Sequence, residues 1–330
     1  MKVSSIVQIA GGLIIASAGL YIFFKDVDIK EIGVHIQQTE WWVIAIVALM
    51  SPISLWLRAL RWRLMLPKRE NTHKHGLFSI TVIAFAVNNI LPARLGEAAR
   101  AVLLWRRNKF TIAESVGSLV LERAIDSTVF LSCLFLPVFF VGSLENLLPW
   151  GVFCGAGFAG ILMVFLFYAI FPDFTKKMSS KMLFFIPKKF HDRFKKLGNE
   201  LISNLDWIFS LRKSFVVAVL SYAIIFCYVV MIWLLGIKLS GFAVFESMFG
   251  VAFAALGAAI PLAPGYVGTL HAVLQKGLGL LGVQGSGAAA ITVLYHAIGY
   301  VVVTFMGIVY FFTLRLSFDD IGKAKQQIGD

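Results

Sequence analysis

The stretch NNILPARLGEAARAVLL, Asn88 to Leu104, decides how this chain is read. It closes one apolar run, Leu77–Leu91, with Asn88, Asn89 and Pro92, and opens another, Leu95–Leu104, behind Arg94. Proline lacks the N–H and crowds the preceding turn, so the two runs are separate short helices. Basic segments lie before the first arm and after the second, at Trp105–Lys109, which puts both ends on one side. The hairpin therefore enters and returns. It carries Arg94, Glu97 and Arg100 with it, and irregular backbone at membrane depth is tolerated only against protein or a water-filled cavity.

That a membrane is involved follows from composition. Of 330 residues, 59% are hydrophobic and 15% charged, and the mean hydropathy is +0.83, outside the range of soluble domains. Six stretches are long enough to cross about 30 Å of hydrocarbon as helix: Ile6–Phe24, Trp41–Leu57, Ser115–Val141, Trp150–Phe171, Phe215–Leu235 and Ala288–Leu314. The first lacks a signal-peptide cleavage pattern and is read as a retained span. The fold expected is an all-α integral membrane protein of about six full transmembrane helices plus two re-entrant broken-helix hairpins. Cys133, Cys154 and Cys227 lie in apolar spans at no metal or redox spacing, so no disulfide, metal or cofactor is expected.

Loop charges orient the chain. Arg58–Gly76 holds six Lys/Arg against Glu70 alone, whereas Lys25–Glu40 holds two basic and four acidic residues. By the positive-inside rule Arg58–Gly76 is cytoplasmic, and so are both termini. Pro172–Lys213, with ten Lys/Arg and four Asp/Glu, is cytoplasmic too. Within it Phe190, Phe194, Leu197, Leu201, Leu205 and Ile208 recur at helical spacing. Residues 174–212 then form either an amphipathic linker helix with Lys189, Arg193, Lys195 and Lys196 at anionic headgroups, or an ordinary solvated one. The net charge of +12 is explained by such loops, and no nucleic-acid partner is expected.

A second break, AAIPLAPGYVGTLHAVLQ, spans Ala258–Gln275 between the short arms Phe245–Ile260 and Val267–Leu281. Pro264 and Gly268 repeat the spacing of Pro92 and Gly96, 172 residues later. Counted from an inside N-terminus, this hairpin enters from the opposite face. The chain 1–330 is then one polytopic domain of two inverted halves, 1–141 and 150–315. Paired broken helices in inverted halves point to a transporter site near the midplane.

The charges admit two readings at each place. The helix restarting after Pro92 offers free N–H groups and a positive dipole end, to which Arg94 and Arg100 add bidentate donors suited to a lipid phosphate. Glu97 is three residues from each and can pair with either. The alternative is that all three snorkel at the interface. In LVLERAIDSTVF, Glu122 and Asp126 share a helix face beside Arg123; they either line a substrate path or tie this span to Arg94 or Arg100. His271 and His296, in apolar segments, are packing residues or proton carriers.

PARLGEAARAVLL, VLERAID and IPLAPGYVG, in that order, resemble the membrane region of lysylphosphatidylglycerol synthase/flippases, also described as UPF0104 proteins. The likeness spans nearly the whole chain. It implies a lipid translocase of a bacterial or archaeal cytoplasmic (inner) membrane, moving an anionic, aminoacylated or polyprenyl- or sugar-linked lipid. It places Asn89, Pro92, Arg94, Gly96, Glu97, Arg100, Glu122, Arg123, Asp126, Pro264, Gly265 and Gly268 on motif positions, with Asn88, Tyr266, His271 and His296 beside them. Tyr266 and then His271 stand where the family often has a glycine and a glutamate, and His296 where it has an arginine. With no aminoacyl-transfer domain, the chain is expected to be the transport half and not an enzyme.

No ATP-binding loop of the form Gly-x-x-x-x-Gly-Lys-[Ser/Thr] occurs, so a gradient or downhill exchange would set direction, with Glu97, Glu122, Asp126, His271 and His296 as titratable candidates. Two other classes stay open: an intramembrane lipid-phosphate phosphatase, and a non-transporting partner that docks a lipid-modifying synthase or glycosyltransferase.

Overall fold

The computed structural model describes residues 3–25, 27–67, 74–91, 94–108, 110–171, 210–260, 263–283 and 285–314. Pro92 and nearly all of the 174–212 linker lie outside them. In chain order the α-helices are α1 (Val3–Phe24), α2 (Ile29–Gln37), α3 (Trp41–Met65), α4 (Lys74–Ile90), α5 (Leu95–Asn108), α6 (Ile112–Phe135), α7 (Leu148–Ile170), α8 (Leu211–Ser240), α9 (Val244–Ala259), α10 (Thr269–Leu280) and α11 (Gly285–Thr313). Among the described residues there is no strand.

Four stretches are long and apolar enough to cross a membrane: Trp41–Met65, Gly142–Val164, Leu211–Lys238 and Gly285–Thr313. Two of the six expected spans fall short by that measure. The described apolar part of α1, Gly11–Phe24, is shorter. α6 has 24 residues but carries Glu122, Arg123 and Asp126 in its middle. It also ends at Phe135, where Pro137 turns the chain into 3₁₀ segments, Leu136–Phe139 and Gly142–Leu147, so Ser115–Val141 is not one helix. α2 was not expected. Its nine residues carry Ile29, Ile32 and Ile36 between polar ones, too short a pattern to stand out.

The arms of both breaks are short, at 17 and 14 residues for α4 and α5 and 16 and 12 for α9 and α10. None reaches the roughly 20 residues of a straight transmembrane helix. Each pair packs arm to arm. α4 also packs on α11, and α9 packs on α6. Between them α3 runs along α8, burying Val43, Val47, Ser51, Ser54, Leu55, Arg58, Arg61, Trp62 and Met65. These recur every three or four residues, one face of a helix. α7 is the opposite case: Trp150, Phe153, Met163 and Val164 are all exposed, as a lipid-facing helix requires.

Arg58 and Arg61 correct the topology argument. They belong to α3 rather than to a cytoplasmic loop and are 4% and 0% exposed. α8 likewise begins at Leu211, inside the stretch assigned to the linker. Cys133, Cys154 and Cys227 are all free thiols.

Candidate functional site

The first break is built around a glycine. Gly96 sits so close to α4 that a Cβ there would lie 1.9 Å from the Ala84 carbonyl oxygen, so only glycine lets the arms meet. Its N–H, an orphan donor of the first turn of α5, donates to Asn88 Oδ1 at 2.7 Å. Arg94, just before α5, lies in the left-handed region with φ 51°. A non-glycine residue there is sparsely populated and needs its surroundings to hold it. The hold is visible: Arg94 Nη2 donates at 2.7 Å to the carbonyl of Ala258, in the last turn of α9. A cation at a helix C-terminus meets both an orphan carbonyl and the negative dipole end.

The second break answers with the same devices. Gly265, Tyr266 and Gly268 all have positive φ. His271 Nδ1 accepts from the Gly268 N–H at 3.3 Å, the counterpart of the Asn88 cap. A Cβ at Gly268 would lie 2.1 Å from the Ala16 carbonyl oxygen of α1.

The two breaks touch. Asn89 Nδ2 donates to the Tyr300 carbonyl at 3.3 Å and to Thr304 Oγ1 at 3.0 Å, while the Tyr300 hydroxyl donates back to the Asn89 carbonyl at 3.3 Å. That carbonyl lies 2.8 Å from where a Gly265 Cβ would stand. His296 stacks edge-on to His271, ring centroids 4.8 Å apart, and lies 5.9 Å from the Tyr300 ring.

Beside the breaks is a buried ion network. Asp126 is held by Arg58 Nη1 at 2.8 Å and Arg61 Nη2 at 2.7 Å. Glu122 is held by Arg100 Nη1 at 2.9 Å, with Arg58 and Arg61 each 3.6 Å away. Arg123 Nη2 lies 3.3 Å from Glu122 and 3.4 Å from Asp126. The Arg100 guanidinium lies over the Trp62 ring, 3.8 Å from its centre, and Trp62 Nε1 donates to Ser118 at 2.9 Å. Arg61 Nη1 also donates to Ser221 at 3.0 Å. The acids are presented by one stripe of α6, Ser115, Ser118, Glu122, Asp126, Val129 and Cys133, all buried. At the stripe's start, Thr111 and Glu114 close a capping box that fixes where α6 begins.

Glu97 pairs with neither Arg94 nor Arg100, contrary to expectation. Arg100 turns into α6 and Arg94 across to α9, leaving Glu97 with Arg123 Nε at 4.0 Å. Both of these side chains are partly exposed, 36% and 40%, so the network runs from a wetted edge to a dry core.

A cavity of about 330 Å³ lies where breaks and network meet. Asn88, Asn89, Arg94, Gly96, Glu97, Arg100, Arg123, Asp126, Tyr266 and His296 line it. Pro264, Gly265, Gly268, His271 and Glu122 do not; they form the frame behind. Sequence reasoning missed Arg58, Tyr228, Tyr295 and Tyr300, which also line it, and Arg61 behind them. The signal for the arginines was their i, i+3 spacing in SLWLRALRW, the spacing of one helix face. The tyrosines sit singly in apolar helices and gave none. Of the arginines that line the cavity, Arg58 keeps a buried Nε, Arg94 a buried Nε and Arg100 a buried Nε and Nη2 without a hydrogen bond among the described residues. Such groups are costly unless something meets them.

No solved structure gives a significant match to this chain. A UPF0104 membrane protein of Methanocaldococcus jannaschii is 24% identical over 232 residues, covering 69% of this chain and 94% of that protein. The family described as the lysylphosphatidylglycerol synthase TM region matches residues 8–307. The chain therefore belongs to the family of the lysylphosphatidylglycerol synthase TM region, and it is a multi-pass membrane protein.

Proposed function

We propose that this protein is a lipid transporter that passes an anionic headgroup through the cavity between its two broken helix pairs while the tails stay in the bilayer. The observation that carries this reading is the position of the cavity. It lies where the two breaks touch and is walled by Arg58, Arg94, Arg100 and Arg123. At about 330 Å³ it is at the small end of ligand sites, roomy enough for a headgroup and too small for acyl chains.

Several features support two inverted halves with re-entrant arms. Arg94 and Tyr266 are 172 residues apart, as are Gly96 and Gly268, and Arg94 and Tyr266 are the non-glycine residues of positive φ among the described residues. The packing of α4 on α11 is matched by that of α9 on α6. On this reading the arms enter from opposite faces of a cytoplasmic membrane, with both termini inside. Aminoacylated and polyprenyl- or sugar-linked lipids are the substrate classes that the family suggests, with a lipid-modifying synthase or glycosyltransferase as a partner. The protein is a transporter and not an enzyme, and it works without a cofactor.

The test is transbilayer movement of a labelled anionic phospholipid in proteoliposomes. Wild type should move it faster than protein-free vesicles, and Arg94→Ala should slow it about tenfold, the equivalent of one lost charge-assisted hydrogen bond. Full activity in Arg94→Ala, with loss on changing Lys189, Arg193, Lys195 and Lys196, would instead favour a docking partner.

A further inference from the structure

We infer that the cavity selects a headgroup bearing at least two negative charges and no ammonium, such as a phosphomonoester or a diphosphate; this rests on the lipid-transport reading above. The argument is a charge count. Arg58, Arg94, Arg100 and Arg123 line the cavity against Glu97 and Asp126. Behind them Arg61 and Glu122 offset each other, 3.6 Å apart. With or without that second layer, two positive charges are left over.

Part of the surplus is buried: Arg94, whose hydrogen bond goes to a carbonyl and not to a carboxylate, keeps a buried Nε without a hydrogen bond among the described residues, while Arg123 is partly exposed. Arg58 and Arg100 are 4% and 2% exposed, and Arg100 keeps Nε and Nη2 without a hydrogen bond among the described residues. Uncompensated charge of this kind is expensive in a site of low dielectric. A dianion in the cavity would remove the cost, and paired guanidiniums suit its oxygens. A phosphodiester, with a single charge, would remove half of it.

An ammonium finds no carboxylate without a guanidinium partner. A lysyl or other aminoacyl headgroup needs a carboxylate, and each one in reach is taken: Asp126 by Arg58 and Arg61, Glu122 by Arg100, and Glu97 by Arg123 at the edge. Aromatic faces are the other way to hold a cation. Here the Phe85 and Tyr228 rings already face the Arg58 guanidinium, at 5.4 and 5.9 Å. Tyr266, Tyr295 and Tyr300 also line the wall, and their hydroxyls suit the neutral hydroxyl-bearing remainder of such a headgroup.

The test uses the full chain in phosphatidylcholine nanodiscs doped with one probe at a time: phosphatidate, a polyprenyl diphosphate, phosphatidylglycerol or lysylphosphatidylglycerol. Retention is read by native mass spectrometry at neutral pH, where a phosphomonoester carries close to two charges. At least one of the first two should be retained about tenfold over phosphatidylglycerol, and the lysyl lipid no better than phosphatidylcholine. Which of the two is retained tells a phosphomonoester from a diphosphate ligand. Arg123→Gln, at a partly exposed position, should bring the preferred dianion toward parity with phosphatidylglycerol. Preference for the lysyl lipid or for phosphatidylglycerol overturns the inference and leaves lipid transport standing. Retention of no probe above phosphatidylcholine overturns both.

Discussion

The two broken helix pairs use one backbone device for two chemistries. Each turns through a left-handed non-glycine residue, φ 51° at Arg94 and 60° at Tyr266. Each caps its second arm with a side chain, Asn88 in the first and His271 in the second. Each has a glycine where a Cβ would meet backbone, 1.9 Å at Gly96 and 2.1 Å at Gly268. The first pair, however, brings Arg94 to the cavity and carries Glu97 and Arg100 into an ion network, whereas the second sets Tyr266 in the cavity wall and His271 between Phe23 of α1 and His296 of α11. The difference teaches that the frame and the charge are separable: both pairs share the features that build a break, but only the first brings charged side chains to the cavity, where they join those of α3 and α6.

The comparison breaks most readily through the network that only the first pair joins. Glu122→Gln leaves Arg100 facing a neutral amide in a dry site, and breaking such a buried pair costs on the order of 3–5 kcal/mol. Thermal unfolding in detergent should show the largest loss of this series. An unchanged midpoint would mean that the network is solvated and that the charge count above does not hold.

Next come the glycines. Gly96→Ala and Gly268→Ala should each destabilise by about 1–3 kcal/mol, the first by forcing α5 from α4 and the second by forcing the turn from α1. Gly268→Ala adds the strain of a side chain at φ 85°. Size-exclusion profiles and melting curves would measure both, and a neutral outcome at either would dissolve the parallel between the breaks.

The caps should have the smallest effect. Asn88→Ala removes the acceptor of the Gly96 N–H and should cost about 1 kcal/mol. His271→Ala removes a longer bond, 3.3 Å against 2.7 Å, and should cost less. Unfolding midpoints in that order sharpen the comparison; the reverse order would mean that His271 matters through its contacts with Phe23 and His296 instead.

Much of this was legible in the sequence because proline, glycine and charge are strong signals in an apolar chain. The two breaks, their 172-residue offset and the residues Arg94, Arg100, Glu122 and Asp126 all stand out for that reason. What was not legible depends on which way a helix face turns. Arg58 and Arg61 sit next to Arg63, which is exposed, and by charge alone the three are alike. The packing of α3 against α4, α6 and α8 buries the first two. Glu97 was misjudged because sequence spacing offered Arg94 and Arg100, while the fold gave each arginine a better partner elsewhere. Tyr228, Tyr295 and Tyr300 converge from two helices far apart in the chain, and no local pattern announces that.

The most direct test of the central claim, that the cavity between the breaks holds an anionic lipid headgroup, is mass spectrometry of the lipids that purify with the protein, wild type beside Arg94→Ala. The account predicts that one class of anionic lipid is selectively retained by wild type and lost in the variant while the fold survives. The same bulk membrane lipids in both samples would contradict it.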